Sequence, residues 1–391
     1  MGNLGRPRAA NARYDLLYVT SDGARERLDV EAAADLASIP DDRLIVIPER
    51  DVGDIYAAVQ HVRPALEGNP TIEGVVIIGD YETVPSRPML TVNPGLLPAL
   101  ADALGNPDRE PDMWIVWNDD PYGDCDGDFL AELPVSRLPI VPTAGGLLGA
   151  PAKPERANAP AIGFRGAEFP FADGIYRDFV DPDPANSMWT SPETTQDRPT
   201  APKIPWETPC LGSGDLAADR LYLVLHASSG DEMRFLGSTY LGSGWQPIAV
   251  DADVLSGEWE SSGVIFGGIC WGALTVSSTA RLVAQCDAEA TARTAANSLA
   301  LAFLDHGANA FVGFTGLHHI PAREVPNLIL GAPLHQLFWK NIATHGWPPA
   351  KALFRARAEF IQDPERQNAN LLSRAFDMKT FWSATCLGRG W

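Results

Sequence analysis

The chain has 391 residues, 45% hydrophobic and 20% charged, enough for one large or two ordinary domains with a sizeable core. A formal net charge of −20 sets it against nucleic acid and anionic membranes and slightly favours basic substrates. The five cysteines, Cys125, Cys210, Cys270, Cys286 and Cys386, are odd in number and irregularly spaced, which argues against a disulfide framework, and they include no CxxC pair, which argues against a thiolate zinc site.

Met1–Arg13 is small and polar, without the apolar core of a signal peptide, and no apolar run reaches transmembrane length. A cytoplasmic protein is expected. Tyr14–Thr20 and Leu44–Pro48 read as strands, Val30–Ser38 and Asp54–Leu66 as helices, and Gly74–Gly79 as a buried strand ending at Asp80. This alternation predicts a parallel sheet covered by helices. Trp114–Trp117 is a further strand, followed by the acidic loop Asn118–Asp128 and by Glu132–Pro139.

From Val141 to Leu216 the texture turns rich in Pro, Gly, Ser and Thr, with one short helix near Ala172–Phe179. It reads as an insertion or a long irregular loop. Regular texture resumes with Leu221–His226, and Gly263–Cys270 is a second apolar run. Thr291–His306 reads as an Ala-rich helix with Gly307 placed as its C-terminal cap, and Ala310–Phe314 as a strand. Leu334–His345 and Pro349–Gln362 read as amphipathic helices, and Thr380–Leu387 as a final edge strand. Three segments follow: residues 1–140, an α/β unit ending in the acidic loop; 141–216, the insertion; and 217–391, a second α/β unit.

The chemistry concentrates in two places. Leu221–His226 and Gly263–Cys270 each deliver one reactive side chain at a strand's carboxyl end, where open α/β sheets bind ligands. Cys270 and His226 form a nucleophile–base pair in this reading. Gly267, Gly268, Gly272 and Ala273 leave room around Cys270 for a bound peptide backbone. The N–H groups of Cys270 and Ala227 are candidates for an oxyanion hole. Trp271 and His318 are candidate substrate-lining residues. Asp124, Asp126 and Asp128 alternate as calcium ligands do, but depart from the EF-hand in the place of Gly127 and in lacking its closing Glu. They read as a structural calcium site, as a carboxylate of a specificity pocket, or as a plain solvated turn. No cofactor is required for the chemistry.

The order of Tyr-Gly-Asp-Cys-Asp-Gly-Asp at 122–128, Glu-Leu-Pro-Val-Ser-Arg-Leu-Pro at 132–139, the strand ending in His226, the strand ending in Cys270-Trp-Gly-Ala, and Gly-Ala-Asn-Ala-Phe-Val-Gly-Phe-Thr-Gly at 307–316 resembles the gingipain family of the caspase–gingipain clan. The resemblance spans Gly74 to Ala358 apart from the insertion. It implies a caspase-like three-layer α/β sandwich, mostly parallel, and a Cys–His dyad on Cys270 and His226. It also implies calcium binding and, counting nine residues back from Arg137, Asp128 as the partner of a basic P1 side chain. Ala227 departs from the glycine usual after the histidine, the insertion is longer, and neither a leader nor an immunoglobulin-like domain is expected. An intracellular regulatory endopeptidase cutting after Arg or Lys is expected. Its internal loop, with Lys153, Arg156, Arg165, Arg177, Arg198 and Lys203, would be cleaved by an upstream protease or in trans for activation. Two other classes use the same residues: an inactive caspase-like module that binds peptides or partners, and a cysteine hydrolase or transferase for non-peptide acyl groups.

Overall fold

The structure is a computed structural model that describes residues 14–106, 109–140, 161–181, 188–191, 218–238, 246–252, 255, 263–321 and 330–391. In chain order the strands are β1 Leu16–Ser21, β2 Leu44–Ile47, β3 Gly74–Ile78, β4 Arg87–Leu90, β5 Ile115–Asn118, β6 Val135–Leu138, β7 Ala161–Gly166 and β8 Trp189–Ser191. They continue as β9 Arg220–Val224, β10 His226–Ser228, β11 Asp231–Leu236, β12 Ile248–Asp251, β13 Val264–Gly267, β14 Ala310–Phe314 and β15 Ala384–Gly388. Ten of them form one sheet in the order β2-β1-β3-β6-β15-β14-β13-β9-β7-β8.

Every pairing in this sheet is parallel except β14 with β15. The sheet therefore consists of two parallel halves that run in opposite directions and meet at that one antiparallel pair.

Alternate residues of each strand point to opposite faces, and both faces are covered. On β9, Tyr222 and Val224 join a cluster containing Phe338, Trp339 and Phe360, from the helices Ala332–His345 and Pro349–Gln362. Leu221 and Leu223 face the helix Leu299–Asp305 on the other side. On β3, Val76 and Ile78 join the first cluster, while Val75 and Ile77 pack with Ala58, Val59 and Val62 of the helix Ile55–Gly68. The result is a three-layer sandwich. Buried on both faces, its strands read as continuous apolar runs.

Local chemistry sets the helix ends. Asp54 caps its helix by accepting from Tyr56 N–H, and Asn370 caps Leu371–Ser383 by accepting from Ser373 N–H. Gly307 follows Leu299–Asp305 at φ 96°, the left-handed conformation that glycine adopts without cost.

Three expectations need correction. The helix expected over Thr291–His306 begins only at Leu299, because Ser298 Oγ accepts from Leu301 N–H and starts it there. The expected edge strand Thr380–Leu387 begins at Ala384 and lies inside the sheet, paired with β14 and β6. The helix before it runs on to Ser383. Parts of the stretch read as an insertion are integral to the sheet: β7 pairs with β9 over five residues, and β8 extends it outward. Gly163 and Gly166, which made β7 read as irregular, lie under Tyr176 and Glu168, where a Cβ would collide. Residues 141–160, 182–187 and 192–216 of that stretch, Cys210 among them, lie outside the described residues.

Candidate active site

Cys270 and His226 lie just beyond the carboxyl ends of two neighbouring strands. β9 and β13 are adjacent and parallel, with Gly267 level with Leu223; Cys270 and His226 each lie three residues beyond that pair. A third side chain reaches the same place from the next strand. Arg165 of β7 is level with Val224 of β9, and the chain then turns through Glu168. Glu168 Oε1 and His226 Nε2 are 2.5 Å apart. Three successive strands, β7, β9 and β13, thus deliver a carboxylate, an imidazole and a thiol at their carboxyl ends.

Glu168 escapes a reading of the sequence because it lies in the stretch taken for an insertion. The one available signal is the run Ala-Ile-Gly-Phe just before it. Its bond occupies Nε2, which leaves Nδ1 as the nitrogen free to handle a proton. The Phe169 ring, 4.9 Å from the imidazole centre, closes one side of His226. The side chains of His226 and Glu168 are 28% and 21% exposed, open enough for a ligand to reach.

β14 supplies the other wall. His318 N–H donates to Cys270 Sγ at 3.4 Å, and the sulfur lies 3.5 Å from His318 O. The partner of the sulfur is therefore this backbone, not the His226 ring. Burial pushes the Cys270 thiol up to about 11; the His318 N–H and the charge of Lys379 oppose that rise, while Asp112 and Glu110 add to it. The resting cysteine is a thiol. Trp271, next in the chain, has φ 52°, a left-handed backbone rare for a bulky residue, and its N–H donates to Gly316 O at 2.9 Å.

Several proposed neighbours sit differently from their sequence-based roles. The Trp271 ring is 7% exposed, packed with Tyr81, Ile115 and Trp117, and its Nε1 donates to Asp112 Oδ1 at 3.0 Å. The His318 ring is 4% exposed, stacked on Phe314, and its Nε2 lies 2.8 Å from His335 Nε2. Trp271 Nε1 and His318 Nε2 each find a buried partner, and the His318 ring is held besides by its stack on Phe314, its Nδ1 being buried without a partner among the described residues. Gly267 and Gly268 are small for an internal reason also: a Cβ would strike Phe311 at the first and His335 at the second. Ala227 sits where the β10–β11 hairpin breaks register, between the pairs His226–Leu236 and Ser228–Asp231. Such breaks re-aim backbone groups.

Asp128 is not brought to this cluster. It is exposed, its Oδ1 accepts from Leu130 N–H at 2.8 Å, and its loop packs on the helix Ile55–Gly68 through the pair Arg63–Asp124 at 3.1 Å. The strand that follows the loop, β6, is three places from β13, about 14 Å at the usual strand spacing. Arg137 on β6 is fully buried and grips Asp119 through two bonds of 2.7 and 2.8 Å, so its work is structural.

Asp124, Asp126 and Asp128 each offer an oxygen within 4.8 Å of the others, a set able to coordinate a divalent cation. Backbone N–H groups and the Arg63 guanidinium hold these carboxylates in place. Asp124 Oδ1 accepts from Asp126 and Gly127, and Asp124 Oδ2 from Phe129 and Arg63.

The three-layer sandwich thus places a thiol, an imidazole and a carboxylate beyond the carboxyl ends of neighbouring parallel strands. No family model matches the sequence, and no curated protein matches it. The structure is similar to the crystal structure of gingipain R, an Arg-specific cysteine proteinase, with a TM-score of 0.52 at 11% identity over 99% of this chain and 79% of that one. The similarity shows that the two share a fold. Among the described residues, no helix is long and apolar enough to cross a membrane.

Proposed function

We propose that the protein is a cysteine endopeptidase with Cys270 as nucleophile, His226 as general base and acid, and Glu168 as the group that orients His226. The observation that carries this reading is the delivery of these three side chains by three successive strands at their carboxyl ends. Because the resting cysteine is a thiol, His226 Nδ1 must take its proton as the sulfur attacks the scissile carbonyl. The imidazolium then forms beside Glu168 and gives the proton to the leaving amine. The Cys270 N–H, joined by that of Ala227, steadies the oxyanion. Water then cleaves the thioester, with His226 again as base.

A basic residue before the scissile bond is the preference we assign. The net charge of −20 and the likeness to an Arg-specific proteinase support it. Asp128 is better suited to the cation-binding cluster, for which calcium is the natural hard ion. Activation by cleavage within 141–216 stays in this reading at Arg177, whose side chain is 65% exposed, and at Lys153, Arg156, Arg198 and Lys203, which lie outside the described residues. Arg165 drops out: it is 9% exposed and held by Asp173 at 2.6 and 2.8 Å.

The sulfur resting on His318 instead of His226 favours a second reading, a caspase-like module that binds peptides without cutting them. Labelling with peptidyl acyloxymethyl ketones separates the two. The expected result is covalent capture of Cys270 by an Arg or Lys probe at least tenfold faster than by an Asp probe, and none in Cys270→Ala. Absence of capture with every probe, with peptide binding retained, would establish the second reading.

A further inference from the structure

We infer that Asp112 is a positioning residue for Cys270. This rests on the cysteine being the reactive group of the proposed function, but not on what it attacks. Asp112 is 1% exposed, and its two oxygens reach two different loops. Oδ1 accepts from Trp271 Nε1 at 3.0 Å, in the residue that follows the cysteine. Oδ2 accepts from Leu317 N–H at 2.5 Å, in the residue before the His318 whose N–H meets the sulfur. One carboxylate therefore ties the turn that carries the thiol to the loop that holds it.

The tie acts on a strained point. A bulky residue with φ 52° persists only where its surroundings fix it. The Trp271 ring is fixed by burial and by that single bond of its N–H.

The carboxylate is itself anchored. Lys379 Nζ donates to Asp112 Oδ2 at 3.0 Å and pairs with Glu110, which also meets His319 Nε2 at 2.9 Å. Lys379 and Glu110 are 1% and 2% exposed. Asp112 thus accepts from three donors, an indole N–H, an amide N–H and an ammonium. An amide side chain at this position would turn its own N–H₂ toward one of them. The cluster sits beside the cysteine on the side away from His226, so it sets where the thiol points without touching the base.

The test reads Cys270 directly, by iodoacetamide labelling at pH 8 followed by mass spectrometry. Cys386, 1% exposed in β15, reports whether the fold is intact. In Asp112→Asn the turn loses its tether, and labelling of Cys270 should accelerate at least tenfold while Cys386 stays protected. Glu110→Gln removes a charge from the same cluster but leaves both ties, so it should change the rate no more than threefold. Adding Trp271→Phe to Asp112→Asn should add nothing. Equal acceleration in the Asp112 and Glu110 variants would reduce the effect to charge and overturn the inference, as would an unchanged rate in Asp112→Asn. Should Cys386 become labelled, Trp271→Phe alone takes over. It keeps the ion pair, must still accelerate Cys270 at least threefold, and overturns the inference if it does not. No substrate enters this readout. A wild type that shows the contrast but cleaves no peptide would sink the proposed activity and leave the tether standing.

Discussion

Glu168 changes what a strand-end histidine can do. A lone imidazole in a half-open cleft samples several orientations and both tautomers. One whose Nε2 is met by a carboxylate at 2.5 Å presents Nδ1 in a fixed direction. In the proposed mechanism the carboxylate also stabilises the imidazolium formed when the thiol gives up its proton. That help matters because the thiol starts from about 11. Glu168→Gln should therefore lower kcat by about 10²-fold or more with KM nearly unchanged, in line with the loss seen when an orienting carboxylate becomes an amide. Steady-state kinetics on a basic peptide would check this, and a wild-type kcat would remove Glu168 from the mechanism. The strand-end placement of Cys270 and His226 was legible because each ends an apolar run of strand length. Glu168 was not, because its run contains Gly163, Arg165 and Gly166. Those residues make sense only once Tyr176, Asp173 and Glu168 are seen against them.

At the level of elements, the loop after β14 meets the helix Ala332–His345 through a string of buried polar rings. Tyr222 Oη lies 2.9 Å from His335 Nδ1, and His335 Nε2 lies 2.8 Å from His318 Nε2. Phe171, Phe266 and Phe314 surround His335, and no charged group is bonded to it among the described residues. Burial pushes its pKa down to about 3. Below the ordinary histidine value near 6.5, the unfolded chain binds a proton here that the folded chain refuses, so stability falls as pH drops. At pH 5 this amounts to about 2 kcal/mol. Asp80 and Asp377, both raised to about 6 by burial, act in the opposite direction. The effect must therefore be read as a difference between proteins. Relative to wild type, the destabilisation caused by His335→Gln should shrink by about 2 kcal/mol between pH 7.5 and pH 5 in urea unfolding. A difference that does not vary with pH would contradict it. The existence of most elements was legible, since buried parallel strands announce themselves as apolar runs. The ends and partners of elements were not. The helix expected from Thr291 starts at Leu299 because one serine hydroxyl caps it there, and Thr380–Ser383 continue a helix although their residue types suit a strand.

For the whole molecule the decisive element is β15. It pairs with β14 over five residues, contacts β6 through Leu387 and Arg137, and is the seam between the two halves of the sheet. Further bonds tie β15 and the elements beside it to the half that contains β6: Asn118 Nδ2 to Trp382 O at 2.9 Å, Ser136 Oγ to Arg389 O at 2.9 Å, and Arg357 to Asp120. Leu387 is fully buried. Leu387→Pro removes a donor from a central strand and should cost about 3 kcal/mol or more. The expected result is a lost or strongly lowered thermal transition by circular dichroism, and a Tm within a few degrees of wild type would show that the halves hold together without the ladder. No composition or periodicity foretold this role. A five-residue strand after a helix reads as an edge strand, and only the pairing places it at the centre.

The late place of β15 in the chain also dictates an order of events during synthesis. Cys270, His226 and Glu168 are all made before the polypeptide reaches residue 384, so the reactive groups exist while the seam does not. Lys379, the cation beside Asp112, and Ser383, whose carbonyl meets Thr315 N–H at 2.9 Å, are made just ahead of it. On the ribosome, a chain that has emerged only as far as the helix Pro349–Gln362 carries Cys270 without Lys379 and without the seam. The timing of its reactivity is thereby written into the position of one strand in the gene.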